Sequence, residues 1–325
     1  MGILSNLLGP KDGRSHGNDR PAIIRTATPE EIEPAIRLVL GGASVQVSEQ
    51  HVQDFLTYAR SREIDLGGVW VAEQDGKIAQ AVLPVVSPGR TVLLLAPPFV
   101  SAGPGEHLLK RLAETACRAA AQKGIHLAQA LIDPQEEALK RAYTASGFAS
   151  MADLIYLQTD VRSDAAAPSL SPDDRWETYS DRMHALFART IQATYQHSLD
   201  CPALNGMRDM EDVLLGHKAS GEFDPEMWFV LTRWGEPLGV LLLAVSGRND
   251  IVELVYLGLT PEARGRNLGE VLMRQALAVA ARQKRPRLTL AVDAKNIPAQ
   301  KLYFRHGMSR LATKHAMMCD LRKVL

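Results

Sequence analysis

The chain has 325 residues, of which 46% are hydrophobic and 23% charged, a globular profile with apolar material for two cores. Its 37 basic residues balance 37 acidic ones, so charge gives no case for a nucleic-acid or polyanion partner. The three cysteines, Cys117, Cys201 and Cys319, make no CxxC pair and suit a reducing compartment better than a disulfide framework or a zinc site, so no metal is expected.

Residues 1–20 read as a flexible tail. They lack the basic region and sustained apolar core of a signal peptide, and Asn6 stands where a myristoylation pattern needs Ser or Thr. A short amphipathic anchor through Ile3, Leu4, Leu7 and Leu8 is the alternative. No apolar run reaches the roughly 18 residues of a membrane span. The expectation is a cytoplasmic protein with no membrane partner.

From residue 21 the pattern runs twice. Helices come first: "PEEIEPAIRLVL" and "SEQHVQDFLTYAR" in one half, "RMHALFARTIQATY" and "MRDMEDVLLGHKAS" in the other. A strand, a Gly-containing turn and a second strand follow, as "VWVAEQDGKIAQAVLPVV" and "MWFVLTRWGEPLGVLLLAV". Next come a third apolar strand, a helix, a strand, a short helix and a last strand, "DLIYLQTD" or "KHAMMCDL". Trp70 answers Trp228, Gly76 answers Gly235 and Tyr143 answers Tyr303, at offsets of 158, 159 and 160 residues. Such ordered drift marks a duplicated domain with small insertions. The expected fold is α/β, two tandem domains that each hold a mixed, mostly antiparallel sheet flanked by helices. The expected boundaries are a first domain over 21–161, a linker rich in Ser, Pro, Asp and Ala over 162–175, and a second domain over 176–325.

The chemistry concentrates in "VELVYLGLTPEARGRNLGEVLMRQALAVAA", residues 252–281. Pro261 breaks the strand, Gly265 and Gly269 relax the backbone, and Asn267 tolerates positive φ. A helix of about ten residues is expected next, and the unpaired N–H groups and dipole of its first turn suit a phosphate or pyrophosphate. Arg264 and Arg266 add positive charge, and Gly269 lets a ligand approach the backbone. The alternatives fit less well, since GxxxxGK[ST] is absent and only two of the three glycines of GxGxxG are present.

Arg264-x-x-Asn267-x-Gly269 resembles the Q/R-x-x-G-x-G/A loop of the GNAT (GCN5-related N-acetyltransferase) superfamily, with Asn267 for its first Gly. "NIPAQKLYFRHGM", Asn296 to Met308, resembles that family's N-x-x-A-x-x-x-Y-x-x-x-G-F segment, with Met308 for Phe. The layout resembles tandem members whose second half is catalytic. The resemblance implies an acetyl-CoA-dependent N-acetyltransferase acting on a small-molecule or peptide amine. It implies that Leu257, Leu259, Arg264, Gly265, Arg266, Asn267, Leu268, Gly269, Glu270 and Asn296 hold acetyl-CoA. It further implies Glu253, alone on an apolar strand, as general base and Tyr303 as donor to the departing thiolate. A free carboxyl near pKa 4.3 and an alkylammonium near 10.4 differ by about six units, or about 8 kcal/mol. Glu253 therefore needs burial, a neutral amine or a relaying water.

The connection "TYQHSLDCPALNGMRDM" supplies the acceptor-pocket candidates Tyr195, His197, Asp200 and Arg208, each with a solvated loop or a cap as its alternative. The first half has Val100 at the loop's Arg position, no carboxylate on the preceding strand, and Glu136 opposite Asn296, as in a degenerate copy. A catalytically silent CoA-binding or sensory protein is the second functional expectation.

Overall fold

Apolar alternation produces paired strands, and the helices between them bury one amphipathic face each on the resulting sheet. The computed structural model describes residues 22–41, 47–61, 63–98, 103–246 and 250–324. The expected tail, with Ile3, Leu4, Leu7 and Leu8, lies outside the described residues, as does Val100.

The first half holds β1 (Ile23–Thr26), α1 (Ile32–Gly41), α2 (Glu49–Ser61), β2 (Trp70–Gln74), β3 (Lys77–Ser87) and β4 (Thr91–Leu95). It continues with α3 (Pro104–Gln122), β5 (Leu127–Ile132), α4 (Glu137–Ala145) and β6 (Ala149–Asp160). The second half holds β7 (Asp174–Thr178), α5 (His184–Thr194), α6 (Met210–Lys218), β8 (Trp228–Arg233), β9 (Glu236–Ser246) and β10 (Ile251–Leu259). It ends with α7 (Leu268–Arg282), β11 (Arg287–Asp293), α8 (Ile297–Arg305) and β12 (Ser309–Asp320). The β2–β3 and β8–β9 hairpins turn on Asp75-Gly76 and Trp234-Gly235, all four with positive φ, as two-residue hairpin turns that match strand twist require.

Two expectations shift. β1 was not anticipated, and β7 begins at Asp174, inside the stretch read as linker. The larger difference concerns the last strands. Among the described residues all strands join one 12-stranded sheet in the order β1-β2-β3-β4-β5-β12-β6-β11-β10-β9-β8-β7. β6 of the first half pairs antiparallel with β11, from Asp160↔Arg287 to Leu154↔Asp293. β12 of the second half pairs antiparallel with β5, from His315↔Ile132 to Asp320↔Leu127. The halves thus exchange their final strands, which also pair with each other.

Four core clusters cover the sheet. α3 and α4 pack with Met317 and Cys319 of β12, so the core of the first half is completed by a strand of the second. α7 packs with Ile155 and Leu157 of β6, the reciprocal case. α1 and α2, and likewise α5 and α6, cover parts of the other face. The halves also touch at the β3–β4 turn. There Arg90 Nε donates to Asp212 Oδ1 at 2.8 Å, and its Nη2 donates to Asp209 Oδ2 at 2.6 Å. Asp212 is buried, so the ion pair neutralises a carboxylate that would be costly to leave unpaired. All three cysteines are free thiols.

Candidate active site

β10 and β11 are parallel neighbours only over Ile251↔Arg287, Val252↔Leu288 and Glu253↔Thr289. Beyond that point they part, although β10 runs on to Leu259 and β11 to Asp293. On its other side β10 shifts register against β9 between Leu254 and Tyr256, so Val255 is an extra residue. Such a bulge bends the strand and leaves its extra residue unpaired. A cleft of about 610 Å³ fills the opening, with Leu254, Val255 and Tyr256 on one wall, Ala291 and Val292 on the other, and Tyr303 among its lining residues.

α7 begins at the rim of this cleft. It is 15 residues long, longer than expected. Its N-cap Asn267 sits at φ 60° and ψ 15°, the left-handed conformation that glycine or asparagine takes most easily. The Asn267 side chain makes no cap bond, so it does not occupy the N–H groups of the first turn. Gly265 is left-handed too, at φ +74°. Gly269 has a reason beyond the one expected. A Cβ there would stand 3.2 Å from Leu302 Cδ2, so this glycine lets α7 and α8 pack closely. It lines the cleft nonetheless.

Arg264 lines the cleft, as expected, and has a second role as well. Its Nη2 donates to Thr194 O at 2.8 Å, its Nη1 to His197 O at 3.2 Å and its Nε to Leu259 O at 3.2 Å. The guanidinium therefore closes the C-terminal end of α5, where orphan carbonyls and the negative dipole end favour a cation. It fastens the segment that follows α5 to the loop that precedes α7. Arg266 is exposed and is not part of the cleft lining, whereas Arg305 on α8 is exposed and lines it. Leu257, Leu259, Leu268, Glu270 and Asn296 also line the cleft. Glu270 is held by His306, whose Nε2 is 3.0 Å from Glu270 Oε2. Asn296 Oδ1 accepts from Ala299 N at 3.3 Å, so this side chain caps α8.

Tyr303 is buried, and its hydroxyl has no hydrogen-bond partner among the described residues. Burial, and secondarily the charge of Asp200, push this phenol above its ordinary value. Glu253 does not line the cleft; it sits one residue before Leu254, where the parallel pairing ends. Val252 and Leu254 face the α7 core, so alternation turns Glu253 to the opposite face. It is half-buried, and burial raises its carboxyl above the usual range. Its charge is felt by Tyr156 of β6, a residue brought there by strand exchange.

Of the four acceptor candidates, His197 and Asp200 line the cleft, and Tyr195 and Arg208 do not. Asp200 Oδ1 accepts from Asp293 N at 3.2 Å, and Asp293 Oδ2 accepts from Cys201 N at 3.1 Å. This reciprocal staple holds the loop against the end of β11. Burial and the nearby Asp293 charge raise the Asp200 carboxyl. Tyr195 packs edge-on against Tyr256 at 5.9 Å, and burial pushes its hydroxyl up to about 12. Arg208 turns into α6, where Nη2 donates to Asp212 O at 2.6 Å. Tyr256, Thr194, Asp293 and Arg305 were not singled out from sequence. Tyr256 and Thr194 share a hydroxyl hydrogen bond of 2.7 Å at the cleft wall.

Residues 191–308 match the acetyltransferase (GNAT) family model. Mycothiol acetyltransferases are similar: that of Streptomyces bingchenggensis is 36% identical over 109 residues, covering 33% of this chain and 33% of that protein. That of Streptomyces griseus is 30% identical over 147 residues, covering 45% of this chain and 46% of that protein. These two matches thus span less than half the length of either relative. The enzyme of Acidothermus cellulolyticus is 28% identical over 293 residues, with 81% of this chain and 83% of that protein covered. Among solved structures, a GCN5-related N-acetyltransferase from Sphaerobacter thermophilus shares the fold over 92% of this chain and 96% of its own, with TM-score 0.58 and 17% identity. The loop, the start of α7 and Tyr303 all lie inside the segment that is similar to the GNAT acetyltransferase family model.

Proposed function

We propose that this protein transfers the acetyl group of acetyl-CoA to the amine of a small molecule, in the cleft of the second half. The observation that carries this reading is the meeting, where β10 and β11 part, of the α7 first-turn amides and a Tyr303 hydroxyl that has no hydrogen-bond partner among the described residues. The amides suit a pyrophosphate, and the gap between the strands suits the extended arm that joins it to the thioester. The unpaired Val255 amide on the bulge is a donor for the thioester oxygen, where charge develops during attack. Arg305 at the cleft rim offers charge to the CoA phosphates, a part first given to Arg264 and Arg266.

The acceptor amine loses a proton and the sulfur leaves as a thiolate. Glu253 is the base, reached from the sheet face opposite α7, and its raised carboxyl narrows the gap to the amine. Tyr303 acts by hydrogen-bond donation. A thiol titrates near 8.5 and a phenol near 10, so full proton transfer to the thiolate is uphill by about 2 kcal/mol, and burial widens that gap. Asp200 and His197 are the loop side chains in place to meet the acceptor. The mycothiol acetyltransferase relatives support a small-molecule acceptor.

The test is calorimetric titration with acetyl-CoA, followed by thiol-release assays against a panel of small primary amines. One site per chain and amine-dependent CoA release are expected. Binding without release from any amine would favour the silent CoA-binding reading. Absence of binding would overturn both.

A further inference from the structure

The exchange of strands creates a side-chain array away from the cleft. β6 and β12 pair with His315 opposite Asp153 and with Met317 opposite Ser150. Ser150 and Asp153 are three residues apart, so a regular strand would turn them to opposite faces. The register shift between Ala316 and Met317 makes Met151 an extra residue on β6. That bulge returns Ser150 to the face that carries Asp153 and His315. There His315 Nδ1 lies 2.7 Å from Asp153 Oδ1, and His315 Nε2 lies 3.0 Å from Ser150 Oγ.

The hydrogen-bond roles follow from the chemistry of the three groups. An ionised carboxylate only accepts, so a neutral His315 carries its proton on Nδ1 and donates to Asp153. Nε2 is then the acceptor, and the Ser150 hydroxyl donates to it. Nucleophile, base and orienting carboxylate stand in the order that activates a serine. The His315 side chain is only 12% exposed and is held on both ring nitrogens, whereas Ser150 is open to solvent. None of the three residues lines the acetyl-CoA cleft.

We propose that Ser150 is a nucleophilic serine, activated by His315 and oriented by Asp153, that accepts acyl groups from small activated esters. The Ser150 oxygen bonds to the ester carbonyl carbon as its proton passes to His315 Nε2. Collapse of the adduct breaks the bond to the leaving oxygen, which takes that proton and departs as the alcohol. Water then attacks the acyl-serine, gives its proton to His315, and releases the acid as Ser150 recovers the proton.

The test treats the full chain with an alkyl fluorophosphonate and maps the label by mass spectrometry. One equivalent on Ser150 is expected, together with an initial burst of nitrophenol from p-nitrophenyl acetate. Ser150→Ala, a change at an exposed site, should abolish both and leave the thermal melt unchanged. His315→Gln should slow labelling by about a hundredfold, the usual worth of a general base, and Asp153→Asn by about tenfold. A label on another residue, no label at all, or an unchanged rate in His315→Gln would overturn the proposal. Acetyl-CoA binding plays no part in these readouts, so they stand apart from the function proposed for the cleft.

Discussion

The two halves carry a tyrosine at the same place in the repeat, and the two tyrosines do opposite things. Tyr143 donates its hydroxyl to Leu94 O at 3.2 Å and packs its ring on Phe148 at 4.9 Å. It ties α4 to β4 beside the place where β4 and β5 stop pairing. Tyr303 is buried in the same way, yet its hydroxyl has no hydrogen-bond partner among the described residues. The backbone beside each explains the difference. β4 stays in register with β3, while β10 bulges at Val255 against β9. The helix caps differ as well, since Asn296 bonds the first turn of α8 and Glu136 makes no such bond on α4. The same tyrosine can therefore stand in two settings, because the opening depends on strand irregularity as much as on the tyrosine.

The comparison can be broken most forcefully at the carboxylate that the first half lacks. Glu253→Gln should lower kcat by about 10²–10⁴-fold and leave acetyl-CoA affinity nearly unchanged. A base works only when ionised, and burial raises the Glu253 carboxyl above its ordinary 4.5. Turnover should thus fall as pH drops through a midpoint above that value, and this acid limb should vanish in the variant. Next comes the tyrosine pair. Tyr303→Phe should cost about 10–100-fold in kcat, the worth of a hydrogen bond to a charged group. Tyr143→Phe should leave kinetics untouched and lower unfolding stability by about 1 kcal/mol. Arg264→Ala should raise the KM values of acetyl-CoA and acceptor together by about tenfold, because it releases both loops; an effect on one substrate alone would contradict the clamp. The smallest effect is at the caps. Asn296→Ala should destabilise by about 1 kcal/mol, and Glu136→Asn should stabilise the first half by a similar or smaller amount, both read from denaturant midpoints.

Much of the site was legible because its signals are local. The left-handed Asn267, the strand break at Pro261 and the order of loop and tyrosine segment all lie in short stretches. The contacts of Arg264 were not legible because its partners, Thr194 and His197, lie 70 and 67 residues away in sequence. The packing role of Gly269 was not legible because its neighbour Leu302 belongs to another helix. The repeat itself was visible, but the exchange of β6 and β12 was not. Both strands have the alternation of an end strand, and either could satisfy either sheet edge, so no local pattern chooses between the pairings. Tyr256 escaped notice because the bulge that presents it has no marker in an otherwise apolar strand.

The exchanged strands also dictate how the molecule can be made. A ribosome delivers the first half well before residues 315–320, yet β5, paired with β4 on one side, finds its second neighbour only there. Until then the nascent chain holds an open sheet edge and a core without Met317 and Cys319. It must wait, shielded by chaperones or by its own hydration, for about as many residues again to be translated. Folding is then expected as a single late event with long loop closures rather than as two domains in succession. Either half expressed alone should seek a second copy of itself to supply the missing strand.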